Sequence, residues 1–224
     1  NIDEAAGNGR SPFAEAQEGA LRREAQEVLQ ALLALQESLA KRGAATWGEP
    51  GYSQALAAAD KADAAYRERD FSAATEDYQN ALNELLALEA SLPERIEALH
   101  ATVATEIERG ELLAAQTRFD ELQEMAPADI RLITLEPRIA ALPRVIAALE
   151  AAAAAETEGN LSVAVTSARD ATRADPQHQR AQRRLSELQS ALTRAQFTEA
   201  MTTGYAALTR QRFTESEAAF TKAA

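Results

Sequence analysis

Cysteine is absent from the chain, which removes disulfides, zinc ribbons, iron–sulfur sites and thiol nucleophiles from the functions open to it. No run of about 18 apolar residues occurs, so no membrane-spanning helix is expected, and an anchor, if the protein has one, lies outside these residues. Strand signals are missing as well: no segment of four to eight residues alternates apolar and polar side chains between turn residues. Lysine is scarce, with 3 against 20 arginines.

Alanine fills the space. It accounts for 53 of the 224 residues, and as the best helix former and a poor strand former it argues for an all-α fold. Together with the arginine bias it points to a GC-rich bacterial genome. The formal net charge is −12 and unevenly spread: residues 1–130 carry −14 and residues 131–224 carry +2. Phosphate backbones repel so acidic a surface, so a nucleic-acid partner is not expected. Arg173, Arg180, Arg183, Arg184 and Arg194 form the one basic cluster, diluted by Asp175 and Glu187.

The chain divides at its clearest break, Trp47-Gly48-Glu49-Pro50-Gly51. Before it, residues 1–50 read as a polar lead-in (1–10) and a capping helix. Ser11-Pro12 starts that helix as N-cap and first-turn proline. Leu21, Ala25, Val28, Leu29, Leu32, Leu35 and Leu39 recur at helical spacing, and Gly43 ends it. After the break, residues 51–224 are helical throughout, punctuated by Pro93, Pro127, Pro137, Pro143 and Pro176. Residues 177–203 hold neither glycine nor proline, which predicts one long helix over about 177–210. Pro137 and Pro143 predict an extra short helix between the second and third repeated segments.

Four segments share one pattern, in which an apolar residue after a polar turn is followed by small or apolar residues at +3, +7 and +10. They are Phe71, Ala74, Tyr78 and Ala81; Leu112, Ala115, Phe119 and Leu122; Leu161, Ala164, Ala168 and Ala171; and Phe213, Ser216, Phe220 and Ala223. These offsets fall on one stripe of a helix, and small residues there let two helices of a hairpin approach closely. A hairpin that cannot bury its own face stacks on the next, which predicts a solenoid with repeat cores at about 55–88, 96–127, 145–176 and 197–224.

The pattern resembles the tetratricopeptide repeat (TPR) family. Gly110-Glu111-Leu112 and Gly159-Asn160-Leu161 stand where that family has Gly-Asp-Tyr, Gly204 where its first helix carries glycine, and Asp175-Pro176 where many repeats close. The repeats here are spaced by 41, 49 and 52 residues rather than 34, an excess of about two, four and five helical turns. The resemblance implies a concave groove lined by the first helix of each repeat. The residues it would place there are Asp63, Tyr66 and Arg67; His100, Ile107 and Glu108; Leu149, Glu156 and Thr157; and Met201, Tyr205, Leu208 and Thr209. The subclass that clamps chaperone C-termini uses lysine, asparagine and arginine where this chain has Ala59, Asp63, Arg67, His100 and Ala104. One arginine does not make a clamp, so that subclass is disfavoured.

Candidate chemistry is thin. His100 and His178 lack a second ligand at metal spacing, so no metal is expected; His178 reads as a solvated or capping residue. Paired carboxylates such as Glu106 and Glu108 or Glu156 and Glu158 read as solvated. Gly7-Asn8-Gly9 opens no phosphate loop, no serine sits in a nucleophile elbow, and no cofactor is implied. Trp47 and Tyr52 read as a cap over the end of the first repeat, and Ala151 to Ala155 as a close helix contact. The expected function is a non-catalytic scaffold that binds a peptide or partner protein. The alternatives are a spacer in a membrane-anchored bacterial envelope protein, or the regulatory arm of an enzyme whose catalytic domain lies elsewhere. Starting at Asn1 and stopping within a helical pattern, the chain reads as a piece of a longer protein, from the periplasm or envelope rather than the cytoplasm.

Overall fold

The computed structural model describes residues 11–223, so the lead-in expected at 1–10, its Gly7-Asn8-Gly9 included, lies outside the described residues. The described residues form nine helices and no strand, an all-α protein: α1 (Pro12–Ala40), α2 (Ala44–Trp47), α3 (Gly51–Arg67), α4 (Phe71–Arg109), α5 (Leu112–Met125), α6 (Leu132–Thr157), α7 (Leu161–Ala174), α8 (Gln179–Thr209) and α9 (Phe213–Ala223). They fall into two compact units, one of residues 11–100 and 120–129, the other of 101–119 and 130–223.

In the first unit, the Ser11 side chain caps α1 by accepting from the Ala14 amide at 3.2 Å, and Pro12 occupies the first turn. Gly43 takes the left-handed conformation expected of it, at φ 73°. The apolar stripe of α1 buries Leu32 and Leu39 in one core with Tyr52, Ala55, Ala62, Ala74, Tyr78 and Leu85. The capping helix and the first hairpin share a single core. Trp47 packs against that core, donates its indole N–H to the Arg42 carbonyl at 2.6 Å and lies under the Arg95 guanidinium.

The four expected hairpins close with the same backbone turn. Arg69, Gly110, Gly159 and Gln211 all have positive φ, between 59° and 81°. In each, the next amide donates back five residues, from Asp70 to Ala65, Glu111 to Glu106, Asn160 to Ala155 and Arg212 to Ala207, at 2.8 to 3.0 Å. This is the Schellman closure of a helix C-terminus. The carbonyls of Asp70, Glu111, Asn160 and Arg212 then accept the first bond of the second helix, from Ala74, Ala115, Ala164 and Ser216. Nine residues before each second helix stand Ala62, Val103, Ala152 and Gly204, all buried. The correspondence thus extends to the first helix of every hairpin.

Three prolines sit inside helices where breaks were expected. α4 runs for 39 residues through Pro93. α6 runs for 26 residues through Pro137 and Pro143, so no separate short helix precedes the third hairpin. Each interior proline costs about 3 kcal/mol. Against this, α6 buries Leu132, Leu135, Ile139, Leu142 and Val145, each contributing about 1.5–3 kcal/mol, while both proline rings point to solvent. Burial wins. The long helix expected at 177–210 is α8, with 31 residues. In the second unit α6 packs on α7, α7 on α8 and α8 on α9. Ala152 and Ala155 of the five-alanine run form the close contact with Ala164, Val165 and Ala168 of α7, joined by Leu188 of α8.

Candidate functional site

A connected group of polar side chains lies in the second unit, where the end of α4, the first half of α6 and the α7–α8 junction meet. Asp175, 3% exposed, accepts from the Gln177 amide at 2.9 Å and from Arg138 Nε at 2.9 Å. The other arm of the Arg138 guanidinium donates to Glu108 Oε1 at 2.8 Å. Glu108 Oε2 accepts from the Arg180 amide at 3.1 Å, so its carboxylate sits at the start of α8, where unpaired amides favour an anion. Burial pushes the Glu108 carboxyl up, but the Arg180 amide, the Arg138 guanidinium and the Gln179 amide together hold it below the usual carboxylate range.

His178 completes this group as the N-cap of α8. It is 1% exposed, so it is a capping residue but not a solvated one. Its Nδ1 accepts from the Ala181 amide at 3.2 Å, which leaves Nε2 to donate to the Ile107 carbonyl at 3.1 Å. That assigns the neutral tautomer with its proton on Nε2.

Next to this group a cleft of about 310 Å³ opens, floored by Val145, Ile146, Leu149 and Ala153 and walled by Arg109, His178 and Arg180. Two further concavities continue it. One of about 240 Å³ is bordered by Leu149, Arg183 and Arg184, and one of about 700 Å³ by Thr105, Glu111 and Arg183. Arg180 is common to all three. Arg184 is engaged by Glu156 and Glu187, and Arg180 donates to the Arg109 carbonyl at 3.2 Å. Glu150 and Glu111 are the acidic side chains of the rim besides Glu108 and Glu187. An apolar floor beneath guanidinium groups suits an apolar side chain flanked by a carboxylate.

The sequence candidates disperse. In the first unit, Asp63 accepts from the Tyr78 hydroxyl at 2.5 Å. Burial, followed by that hydrogen bond, pushes the Tyr78 phenol above its ordinary range. The Tyr66 hydroxyl accepts from Arg22 Nε and Gln26 Nε2 of α1, and its ring stands edge-on to Phe71, 5.0 Å between centroids. Arg67 is exposed, and His100 pairs with Asp129 at 3.0 Å in a largely buried position. In the second unit, Glu108 and Leu149 border the cleft, Ile107 is buried, and Glu156 is held by Arg184. Thr157 is exposed. Met201, Tyr205, Leu208 and Thr209 lie along the C-terminal half of α8.

Arg138, Asp175 and His178 were not among the candidates, although they organise the cleft's edge. The Asp-Pro pair and the histidine capping α8 were visible; the pairing of Arg138 across 37 residues was not. Among the described residues no group of three or more His, Asp or Glu side chains could hold a metal ion, and no helix is long and apolar enough to cross a membrane. No family model matches the chain, and no curated protein or solved structure is significantly similar to it.

Proposed function

We propose that the chain is a non-catalytic protein-interaction domain built from four TPR-like helical hairpins, and that the second unit's cleft receives a segment of a protein partner. The observation that carries this reading is the cleft itself: an apolar floor at Ile146 and Leu149 beside the guanidinium groups of Arg109, Arg180 and Arg183. The four identical turns support the repeat assignment, since one backbone device recurs at all four places the pattern marks. The chemistry of the cleft selects a peptide with an acidic residue next to an apolar one.

The test is a photo-crosslinking residue placed at Leu149 in the protein expressed in its own host. A partner captured there and lost in an Arg180→Glu/Arg183→Glu variant supports the reading. The same proteins captured with both forms, or none with either, count against it.

A spacer role is the second reading, favoured by helices of 39 and 31 residues, far longer than a hairpin needs. Under it, cleft substitutions leave the host protein's behaviour unchanged, whereas removing two turns from α8 alters it.

A further inference from the structure

The fourth hairpin carries a large exposed apolar stripe on its first helix, α8. Phe197, Met201, Tyr205 and Leu208 follow one another at spacings of four, four and three residues, which places them on one face of α8. Phe197, Tyr205 and Leu208 are 51, 58 and 44% exposed, and Phe213, which opens α9, is 66% exposed. The residue equivalent to Phe213 is buried in the first hairpin (Phe71) and half-buried in the third (Leu161).

In both of those hairpins the cover is a further amphipathic helix. On the first, α1 lays Leu32 and Leu39 into the core and binds the Tyr66 hydroxyl through Arg22 and Gln26. On the third, the N-terminal half of α8 packs Leu185, Leu188 and Leu192 against Leu161 and its neighbours. The rim of the open stripe is prepared for the same treatment. Thr198, Thr202 and Thr209 run beside it, and each donates its hydroxyl to the carbonyl four residues back, at 2.8 to 3.0 Å. Covering these threonines strands no donor. Arg194 stands one turn before Phe197 on the same face, and Arg212 lies beyond Leu208 in only a 3.3 Å exposed pair with Glu215.

We infer that this face is a docking surface for an amphipathic helix of a partner protein, with leucine-like anchors at spacings of three and four residues and carboxylates at its ends. A helix is the occupant because the chain covers the equivalent face of its first hairpin, at Ala55, Ala59 and Tyr66, with one, α1. A second copy of the chain is disfavoured by area: four partly exposed side chains offer on the order of 400 Å², about half of what each side of a stable dimer buries. The carboxylates follow from Arg194 and Arg212 at the two ends. The inference rests on the protein-binding reading in general but uses a surface other than the cleft.

The chain's two methionines provide a site-resolved test. Protein labelled with ¹³C at the methionine methyls gives one resonance from Met201 on the stripe and one from Met125, buried in the first unit. It is titrated with a synthetic 18-residue helix bearing leucines at alternating four- and three-residue spacing and glutamates at both ends. The Met201 resonance is expected to move while Met125 stays fixed. Phe197→Ser/Leu208→Ser, both exposed positions, should weaken the response about tenfold or more. A helix ending in lysines should bind several-fold more weakly, a preference that Arg194→Gln reduces. An unmoved Met201 resonance at about 1 mM helix overturns the proposal, as does an unweakened response in the double variant. A Met201 resonance that shifts with protein concentration alone assigns the face to a second copy and overturns it equally. Because Met201 is not in the cleft, failure of the cleft reading leaves this result standing.

Discussion

Phe220 lies against the backbone of Gly204 so closely that a β-carbon there would stand 2.5 Å from its ring. The same ring meets Tyr205 edge-on at 5.2 Å between centroids. Gly204→Ala therefore pushes the two helices of the fourth hairpin apart. Overpacking costs about 1–3 kcal/mol, and the gain from alanine in a helix returns at most about 1. Urea unfolding should show the loss, and adding Phe220→Leu should recover part of it. Equal stability of the single variant and the parent would mean that the hairpin closes differently.

Arg138 neutralises two carboxylates at once, one of them nearly inaccessible. Arg138→Met leaves Asp175 and Glu108 without their cation, and stranding a buried charge costs about 3–5 kcal/mol. The loss should appear as a lower denaturant midpoint of the second unit, and adding Asp175→Asn should return part of it.

The Glu108 carboxyl is depressed in the folded state, so its contribution to stability is present above the ordinary carboxylate range and fades as pH falls through its folded value. Acidification below about pH 4.5 should destabilise the parent more than Glu108→Gln, which lacks this titration. Parallel pH profiles would show that the carboxylate is not held in its charged form.

Tyr78 behaves with the opposite sign. Its phenol is pushed up by burial and by the bond to Asp63, so the folded state favours the neutral ring. In an alkaline absorbance titration of the four tyrosines, one should remain un-ionised well above pH 10 until the protein unfolds, and Tyr78→Phe should remove that one.

The left-handed turn positions supply a backbone test. Gly159 has open space around it, so Gly159→Ala isolates the conformational cost, about 1–2 kcal/mol. Gln211→Gly at the equivalent turn should relieve strain, up to about 1 kcal/mol after the added freedom of the unfolded chain. Opposite signs at two equivalent positions would be hard to obtain from anything but a shared turn.

Helices and hairpin turns were legible in the sequence because their causes are local. Ser11-Pro12 starts a helix by itself, and the +3, +7 and +10 stripe needs only 3.6-residue periodicity. The prolines misled because proline propensity is local and burial is not: what overrides Pro137 and Pro143 is the burial of Leu132, Leu135, Ile139, Leu142 and Val145. The candidate site was legible only in part. The register implied by the TPR resemblance placed Glu108 and Leu149 on first-helix faces, but it treated Tyr66 as available when α1 supplies its partners, and it could not see Arg138 reaching Asp175. Arg69 and Gln211 carry no glycine signal, so their turns became visible only by register with Gly110 and Gly159.

The carboxylate of Glu108 seated on the first amides of α8 has a consequence for synthesis. Its partners Arg138 and Arg180 lie 30 and 72 residues further along the chain. A chain emerging from the ribosome at about 5–20 residues per second therefore exposes the end of α4 for several seconds before His178 and Arg180 arrive to fasten it. Contacts so distant in sequence also slow folding of the finished chain. Nascent chains arrested before residue 178 should be cleaved readily by protease near residue 109, and those arrested well beyond α8 should resist.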